Sequence, residues 1–169
     1  MSPTMLETQR MILREMTEAD AADLFALNQN PNVTRYIPGE PPLVTHAQAL
    51  AVLRERVFPQ YAHGLGRWGC IEKSSGAFFG WCGIKHYPED GEYDVGYRFF
   101  EEHWGKGYAT EAGSAVCEFA RQQLGGKRVV GKAMLENRAS RRVLEKLGMV
   151  FERNAEDDGC VVAVYVLAT

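Results

Sequence analysis

Two apolar periodicities alternate along this chain, and together they outline its secondary structure. Segments with apolar residues at three and four spacing are predicted to be helices, and segments rich in β-branched and aromatic residues between turn signals are predicted to be strands. The predicted elements, in chain order, are a strand at 10–16, helices at 17–28 and 45–56, strands at 67–72 and 77–86, a central strand after 91, a long helix that stops at 125–126, a strand at 127–135, a helix at 137–147, and strands at 149–154 and 160–167.

The order βααβββαβαββ predicts an α+β fold built on one mixed sheet. No repeat, low-complexity tract or linker interrupts the 169 residues, so residues 1–169 are predicted to form one domain. Residues 1–8 are interpreted as a short lead-in. Residues 30–43 hold four prolines and are predicted to be a loop, and a loop of this length in a compact domain usually has a function.

Residues 95–112 are predicted to form a strand, a Gly-rich turn and the first turn of a helix. Gly105 and Gly107 allow the backbone to approach a ligand closely. Such a turn directs free N–H groups and the positive end of the helix dipole at one point, which suits a phosphate or pyrophosphate. The spacing excludes two nucleotide loops, because a Walker loop would need glycine at Phe100 and a dinucleotide fingerprint would need glycine at Thr110.

The turn resembles the acyl-CoA loop of the GNAT superfamily of N-acetyltransferases, whose signature is Q/R-x-x-G-x-G/A. Residues 104–109, W-G-K-G-Y-A, follow its glycine and alanine positions, and the tryptophan resembles the branch of ribosomal-protein N-terminal (alanine/serine) acetyltransferases. Residues 6–14 are similar to the L-E-T-x-R-L-x-L-R start of that branch, and residues 136–149 to the family's N-x-x-S-x-x-V-x-E-K-x-G-F segment. The resemblance covers essentially the whole chain.

This resemblance implies the acyl-CoA N-acyltransferase fold, a single mixed, mostly antiparallel central sheet with helices on both faces. It also implies acetyl-CoA as the acyl-donor co-substrate and direct transfer of its acetyl group to a primary amine, either a protein N-terminus or a small molecule. The alternative is a catalytically silent acyl-CoA-binding module for sensing or partner binding. The residues that the resemblance assigns to acetyl-CoA are Tyr97, Arg98, Phe99, Trp104, Gly105, Lys106, Gly107, Tyr108, Ala109, Thr110, Asn137 and Ser140.

A few polar residues are candidates for the chemistry. By the resemblance, Asn137 bonds the pantetheine arm and Ser140 faces the thioester sulfur; as ordinary helix residues they would be an N-cap and an exposed serine. Many family members have a tyrosine four residues after the serine position, but this chain has Leu144, which leaves Ser140 or a water to assist the thiolate. The acceptor ammonium must also lose a proton before the amine can attack, and Asp94 is preferred as the base with Glu92 second. Both acids also fit an interpretation as solvated groups near a strand end.

The sequence does not identify the amine. The loop at 30–43 is expected to select it, and Trp68, Trp81 and Tyr36 are candidates either for the acceptor site or for the core.

Composition and charge argue against nucleic-acid-binding, membrane-spanning and metal-binding proteins. A net charge of −3 argues against a nucleic-acid surface, and no apolar run is long enough for a membrane span. The four cysteines are scattered and the four histidines show no metal-ligand spacing, so no metal is expected. The N-terminus does not resemble a signal peptide, so a cytoplasmic location is expected. A homodimer is an assembly that the sequence leaves open.

Overall fold

A computed structural model describes residues 2–168, in which eight strands form one sheet in the order β1-β2-β3-β4-β5-β6-β8-β7. Every neighbouring pair is antiparallel except β5 and β6, so the prediction of a single mixed, mostly antiparallel sheet is confirmed. The strands are β1 (Thr4–Glu7), β2 (Met11–Arg14), β3 (Gly66–Glu72), β4 (Phe78–Tyr87), β5 (Glu92–Phe99), β6 (Arg128–Met134), β7 (Met149–Asp157) and β8 (Cys160–Leu167).

Six α-helical segments are found in residues 2–168, and they pack on both faces of the sheet. The two longest helices pack with one face of the sheet in a single buried cluster, whereas the first and third helices contribute residues to a second cluster on the opposite face. The helices are α1 (Ala21–Leu27), α2 (Pro31–Thr34), α3 (His46–Val52), α4 (Phe58–Tyr61), α5 (Tyr108–Gln123) and α6 (Arg138–Lys146), and single 3₁₀ turns occupy Glu18–Asp20 and Glu101–His103.

Helix α3 begins where the sequence predicts and ends in an irregular way. Thr45 and Gln48 form a reciprocal capping box at its start. A π-helical segment, Leu53–Val57, then joins α3 to α4. Pro59 lies in the first turn of α4 and has no backbone N–H, so the regular ladder of hydrogen bonds cannot pass through this point.

Two parts of the chain are more ordered than the sequence predicts. The segment interpreted as a lead-in contains β1, which pairs with β2 at the edge of the sheet; Met1 lies outside the described residues. A four-residue strand carries too little alternation to be recognised alone, and its pairing with β2 supplies the missing information. Within the predicted loop at 30–43, Asn30 caps the short helix α2 by accepting a hydrogen bond from the Asn32 N–H.

Candidate active site

The Gly-rich turn forms an uncapped helix start. Gly105 and Gly107 have φ angles of 70° and 81°, in the left-handed region that favours glycine. The 16-residue helix α5 begins at Tyr108, and its N-cap, Gly107, offers no side chain to the first N–H groups. Those groups and the helix dipole therefore remain available to an anion, as a pyrophosphate-binding turn requires. The residues predicted for the loop, from Trp104 through Lys106 and Ala109 to Thr110, lie together here.

Arg10 fastens this turn to the first strands. Its Nη1 donates to the Lys106 carbonyl oxygen at 2.9 Å, its Nε donates to Glu111 Oε2 at 2.6 Å, and its guanidinium lies 4.0 Å from the Tyr108 ring centroid. Burial by itself raises the pKa of Glu111, but hydrogen bonds from Thr8 and Arg10 outweigh it and hold the pKa below its ordinary value. No role for Arg10 is predicted from the sequence, although this residue lies in the family-like segment 6–14.

A gap opens between β5 and β6 next to this turn. The two strands pair only from Glu92 opposite Arg128 to Asp94 opposite Val130. Beyond Asp94 the strands no longer pair, so one edge of β5 has no strand partner from residue 95 to 99. At the far end of this edge, the Trp104 indole donates to the Phe99 carbonyl oxygen at 2.9 Å. The unpaired backbone groups of β5 along this edge are available to bond a narrow ligand that carries amide groups.

Ser140 lies across the gap from Tyr97. The Tyr97 hydroxyl is 2.8 Å from Ser140 Oγ and also donates to the Ser140 carbonyl oxygen at 3.1 Å. Burial raises the pKa of Tyr97, which keeps its phenol protonated and able to donate. Asn137 accepts a hydrogen bond from the Ser140 N–H, so it caps α6, and Leu144 is buried in the core. A second hydroxyl, from β5 rather than from α6, therefore stands beside the serine.

Asp94 lies where β5 and β6 separate, and Arg67 holds it there. Arg67 Nη2 is 2.7 Å from Asp94 Oδ2, and Arg67 Nη1 donates to the Asp94 carbonyl oxygen at 2.9 Å. Burial raises the pKa of Asp94, although Arg67 opposes the shift. Arg67 reaches β5 across β4, where Gly83 pairs with Gly96. Gly96 leaves the path of its side chain open, because a Cβ there would lie 2.9 Å from the guanidinium.

Glu92 lies on the same strand but in a different environment. Its carboxylate is 3.0 Å from Arg128 Nε and 3.3 Å from Lys132 Nζ, and its side chain is 8% exposed. Burial raises the pKa of Glu92, but hydrogen bonds from Arg128 and Lys132 outweigh it, and the pKa falls below its ordinary value. A carboxylate engaged by two cations is a weak proton acceptor, so this geometry favours Asp94 as the base.

Replacing Glu92 with glutamine is expected to lower the free energy of unfolding by about 1–3 kcal/mol, because two cations lose a buried partner. Glu152→Gln, which removes an exposed partner of the same Arg128, is the control and is expected to cost less than about 1 kcal/mol. Since folding depresses the pKa of Glu92, the difference from wild type is full above the ordinary carboxyl range and disappears as the pH falls through the folded pKa. Urea unfolding between acidic and neutral pH measures it, and equal stability of Glu92→Gln and wild type would contradict the ion-pair role.

A cavity of about 600 Å³ opens on the sheet face opposite α5. Residues of α1, α3 and the loop before α3 form its walls, and Trp81, Arg67 and Arg98 of the sheet lie at its base. The Arg98 side chain points into this cavity, so only the backbone of Arg98 lies along the gap where acetyl-CoA was expected. Trp68 is instead fully buried beside Phe119 in the core. The residues of the loop at 30–43 that line the cavity are Thr34, Ile37, Glu40, Pro41, Pro42 and Leu43.

Within residues 2–168, every helix is too short or too polar to span a bilayer. No group of three or more His, Cys, Asp or Glu side chains in that part of the chain is arranged to hold a metal ion.

Comparison with known proteins gives concordant matches. The model of the acetyltransferase (GNAT) domain matches residues 10–150. An uncharacterized N-acetyltransferase of Bacillus subtilis, YoaA, is 32% identical and spans 85% of this chain and 81% of its own length. An acetyltransferase structure from Agrobacterium tumefaciens has a TM-score of 0.82 at 27% identity, covering 99% of this chain and 95% of that one. A coenzyme A complex of RimL, a ribosomal-protein acetyltransferase, has a TM-score of 0.83 at 15% identity and covers 98% and 97%, which shows the shared fold alone.

Proposed function

Because this chain belongs to the GNAT family and is an acetyl-CoA-dependent N-acetyltransferase, we propose that it acetylates a primary amine at the point where β5 and β6 separate. Acetyl-CoA supplies an acetyl thioester, whose carbonyl carbon accepts attack by a neutral amine. The observation that carries the proposal is the position of Asp94. It lies at the closed end of the gap that leads to the Gly-rich turn, and it is bonded to Arg67, which lines the cavity on the other face.

Asp94 removes the proton of the incoming ammonium, directly or through water. Its raised pKa makes it a better proton acceptor than an ordinary aspartate, and the Arg67 contact fixes its orientation. Only Asp94 Oδ2 is bonded to Arg67, and no hydrogen bond to Oδ1 is found within residues 2–168, so this second oxygen remains available to the amine. Unpaired N–H groups of β5 beyond Asp94 are suited to bond the carbonyl oxygen as negative charge develops on it.

Ser140 and Tyr97 assist the departing sulfur. A thiolate with a pKa on the order of 8.5, by analogy with cysteine, needs only a hydrogen-bond donor to leave. Ser140 Oγ is that donor, and the Tyr97 hydroxyl, 2.8 Å away, orients it. Ser140 and Tyr97 supply the hydroxyl that many family members supply from a tyrosine. In this chain the buried Leu144 occupies the position of that tyrosine.

Replacing Ser140 with alanine is expected to lower kcat by about 10- to 100-fold, because a hydrogen bond to a developing charge is lost. The affinity for acetyl-CoA should change little, and Tyr97→Phe should lower kcat by a smaller factor. Ser114→Ala, at an exposed position on α5, is the control. Steady-state kinetics at saturating substrates measure the effect, and wild-type kcat in Ser140→Ala would assign the sulfur's proton to water.

The acceptor is a primary amine, either a protein N-terminus or a small molecule. A structural neighbour is named as a ribosomal-protein acetyltransferase, which supports including peptide N-termini among the candidates. A panel of small amines and short peptides, assayed by release of free CoA thiol and by the mass of the acetylated product, tests the proposal. If acetyl-CoA binds but no amine is acetylated, the alternative of a silent acyl-CoA-binding module replaces it.

We infer a cytoplasmic location from the cysteines. Cys70, Cys82 and Cys117 are buried and free, and Cys160 is also free, as expected in a reducing compartment. The homodimer and the assignment of residues 1–169 to one domain stay predictions.

A further inference from the structure

Arg98 is a buried cation that faces the cavity of about 600 Å³ on the sheet face opposite α5. Its side chain is only 10% exposed, and its guanidinium lies 5.3 Å from the Trp81 ring centroid. It donates to Asn28 Oδ1 and, at 2.9 Å, to Glu40 Oε2, and burial lowers its pKa. A buried guanidinium without an anionic partner is costly, so the structure requires a negative group at this place.

The negative group that Arg98 binds in this structure is Glu40, which lies on an exposed loop and can be displaced by another anion. Glu40 lies in the loop between α2 and α3, between Gly39, which has a φ angle of 72°, and Pro41. Its side chain is 49% exposed, and Arg98 is its only hydrogen-bond partner within residues 2–168. Arg98, in contrast, is fixed by the sheet, by Trp81 and by Asn28. Glu40 can therefore move into solvent while the arginine stays in place.

Charge is distributed unequally along this face of β5. Asp94 lies at one end, where the charge of Asp157 adds to the negative field. Arg98 lies four residues further on the same face, about 13 Å along the strand. Gly96 lies between them, and the Arg67 guanidinium occupies the space over it, 2.9 Å from the position of an added Cβ. This polarity matches a ligand with an ammonium at one end and an anion at the other.

The other ionisable groups of the cavity add positive charge. Lys85 lies 4.2 Å from the Tyr87 ring centroid and has no ion-pair partner among the described residues, and burial lowers its pKa. Four cationic and two acidic side chains line the cavity: Arg56, Arg67, Lys85 and Arg98 against Glu40 and Glu55. An acceptor with an anionic group gains more here than a plain alkylamine.

We propose that the acceptor is a primary amine that also carries a carboxylate, and that Arg98 binds this carboxylate after displacing Glu40. The inference rests on the proposed acetyl transfer and narrows its substrate class. The carboxylate can belong to a long-chain amino acid, with the amine and the carboxylate at opposite ends, or to an acidic side chain near a peptide N-terminus. Both present the same group to the same guanidinium, with which it forms paired hydrogen bonds.

Matched substrates differing only in the carboxylate test this assignment. The small-molecule arm compares 6-aminohexanoate and 8-aminooctanoate, which are long enough to extend from Asp94 towards Arg98, with their carboxamides, and the peptide arm compares Ser-Glu and Ser-Gln as C-terminal amides. Release of free CoA thiol gives kcat/KM for each. The carboxylate member of at least one arm is expected to be better by about 10- to 100-fold, the range for a charged hydrogen bond. The arm that shows the preference identifies the source of the carboxylate.

Two variants assign the preference to Arg98. Arg98→Gln should reduce the ratio of the matched pair to about one by slowing only the carboxylate member. Glu40→Gln should instead lower KM for the carboxylate member several-fold, because the competing anion of the loop is gone. Glu55→Gln, which removes a cavity acid that makes no hydrogen bond to Arg98, is the matched control and should leave the ratio unchanged. Circular dichroism checks the folding of Arg98→Gln, and Glu40→Gln, at an exposed loop position, carries the test if that variant unfolds.

These experiments separate failure of the carboxylate assignment from failure of the proposed acetyl transfer. Equal kcat/KM for both members of every pair, in a protein that acetylates them, overturns the carboxylate assignment and leaves acetyl transfer standing. An unchanged ratio in folded Arg98→Gln overturns it as well. If no member of any pair is acetylated, the amine panel described above decides whether acetyl transfer stands. Calorimetric titration of the CoA-saturated protein then tests the carboxylate site separately: tighter binding of the carboxylate member supports the site, and equal binding overturns it.

Discussion

Replacing Gly107 with valine is expected to weaken acetyl-CoA binding by more than about 100-fold while the protein still folds. Gly107 has a φ angle of 81°, and a Cβ there would lie 3.5 Å from Arg10 Nη2, on the turn whose N–H groups are predicted to hold the pyrophosphate. Valine strains this backbone by about 1–3 kcal/mol and places its methyl groups where the backbone must approach the ligand.

Gly126 provides the matched control for this experiment. It has a φ angle of 77°, it lies between α5 and β6, and an added Cβ would meet no atom within 4 Å. Gly126→Val should therefore carry a similar backbone strain without touching the pyrophosphate turn. Calorimetry with acetyl-CoA is expected to show near-wild-type binding for Gly126→Val and none for Gly107→Val. Wild-type affinity in a folded Gly107→Val protein would remove the turn from the binding site.

Replacing Asp94 with asparagine is expected to lower kcat/KM near neutral pH by about 100- to 1,000-fold, the usual contribution of a general base. The loss should shrink as the pH rises, because more of the acceptor then arrives as the neutral amine. In the wild type, burial raises the pKa of Asp94, so the acidic limb of the rate profile should lie above the range of an ordinary aspartate. Full pH–rate profiles of both proteins measure these effects.

Two other outcomes of that comparison would separate the roles of the acids. A raised KM with nearly unchanged kcat would mean that Asp94 only attracts the ammonium. Identical profiles would remove Asp94 from the mechanism and make Glu92 the next residue to test. Glu92→Gln is the control, and its profile should follow that of the wild type because Arg128 and Lys132 already engage this carboxylate.

Local patterns predicted the centre of the fold well. The strand, turn and helix around Gly105 and Gly107 depend on near neighbours in sequence, and the structure has them at β5, the turn and α5. The GNAT resemblance carried by this stretch and by residues 136–149 is confirmed by the domain match. Ser140 and Asn137 came from the same resemblance, and the structure adds the capping bond between them.

The rest of the site depends on the order of the strands, which no single segment contains. Arg67 meets Asp94 only because β3, β4 and β5 are neighbours and Gly96 has no side chain in the path of the guanidinium. Tyr97 meets Ser140 across 43 positions of sequence. The Arg98 side chain lies in the cavity and not along the gap between β5 and β6, because successive side chains of β5 point to opposite faces of the sheet. Which face holds the cavity is known only from the structure. A sequence pattern predicts the period of a strand, but the partners on each face come from the tertiary structure.

A crystal structure of the dead-end complex with CoA and an amine acceptor tests the account most directly. We expect the pyrophosphate on the N–H groups at the start of α5, the sulfur in the gap between β5 and β6 beside Ser140, and the amine within hydrogen-bond distance of Asp94. A sulfur remote from Ser140, or an amine that reaches the thiol without passing Asp94, would contradict it.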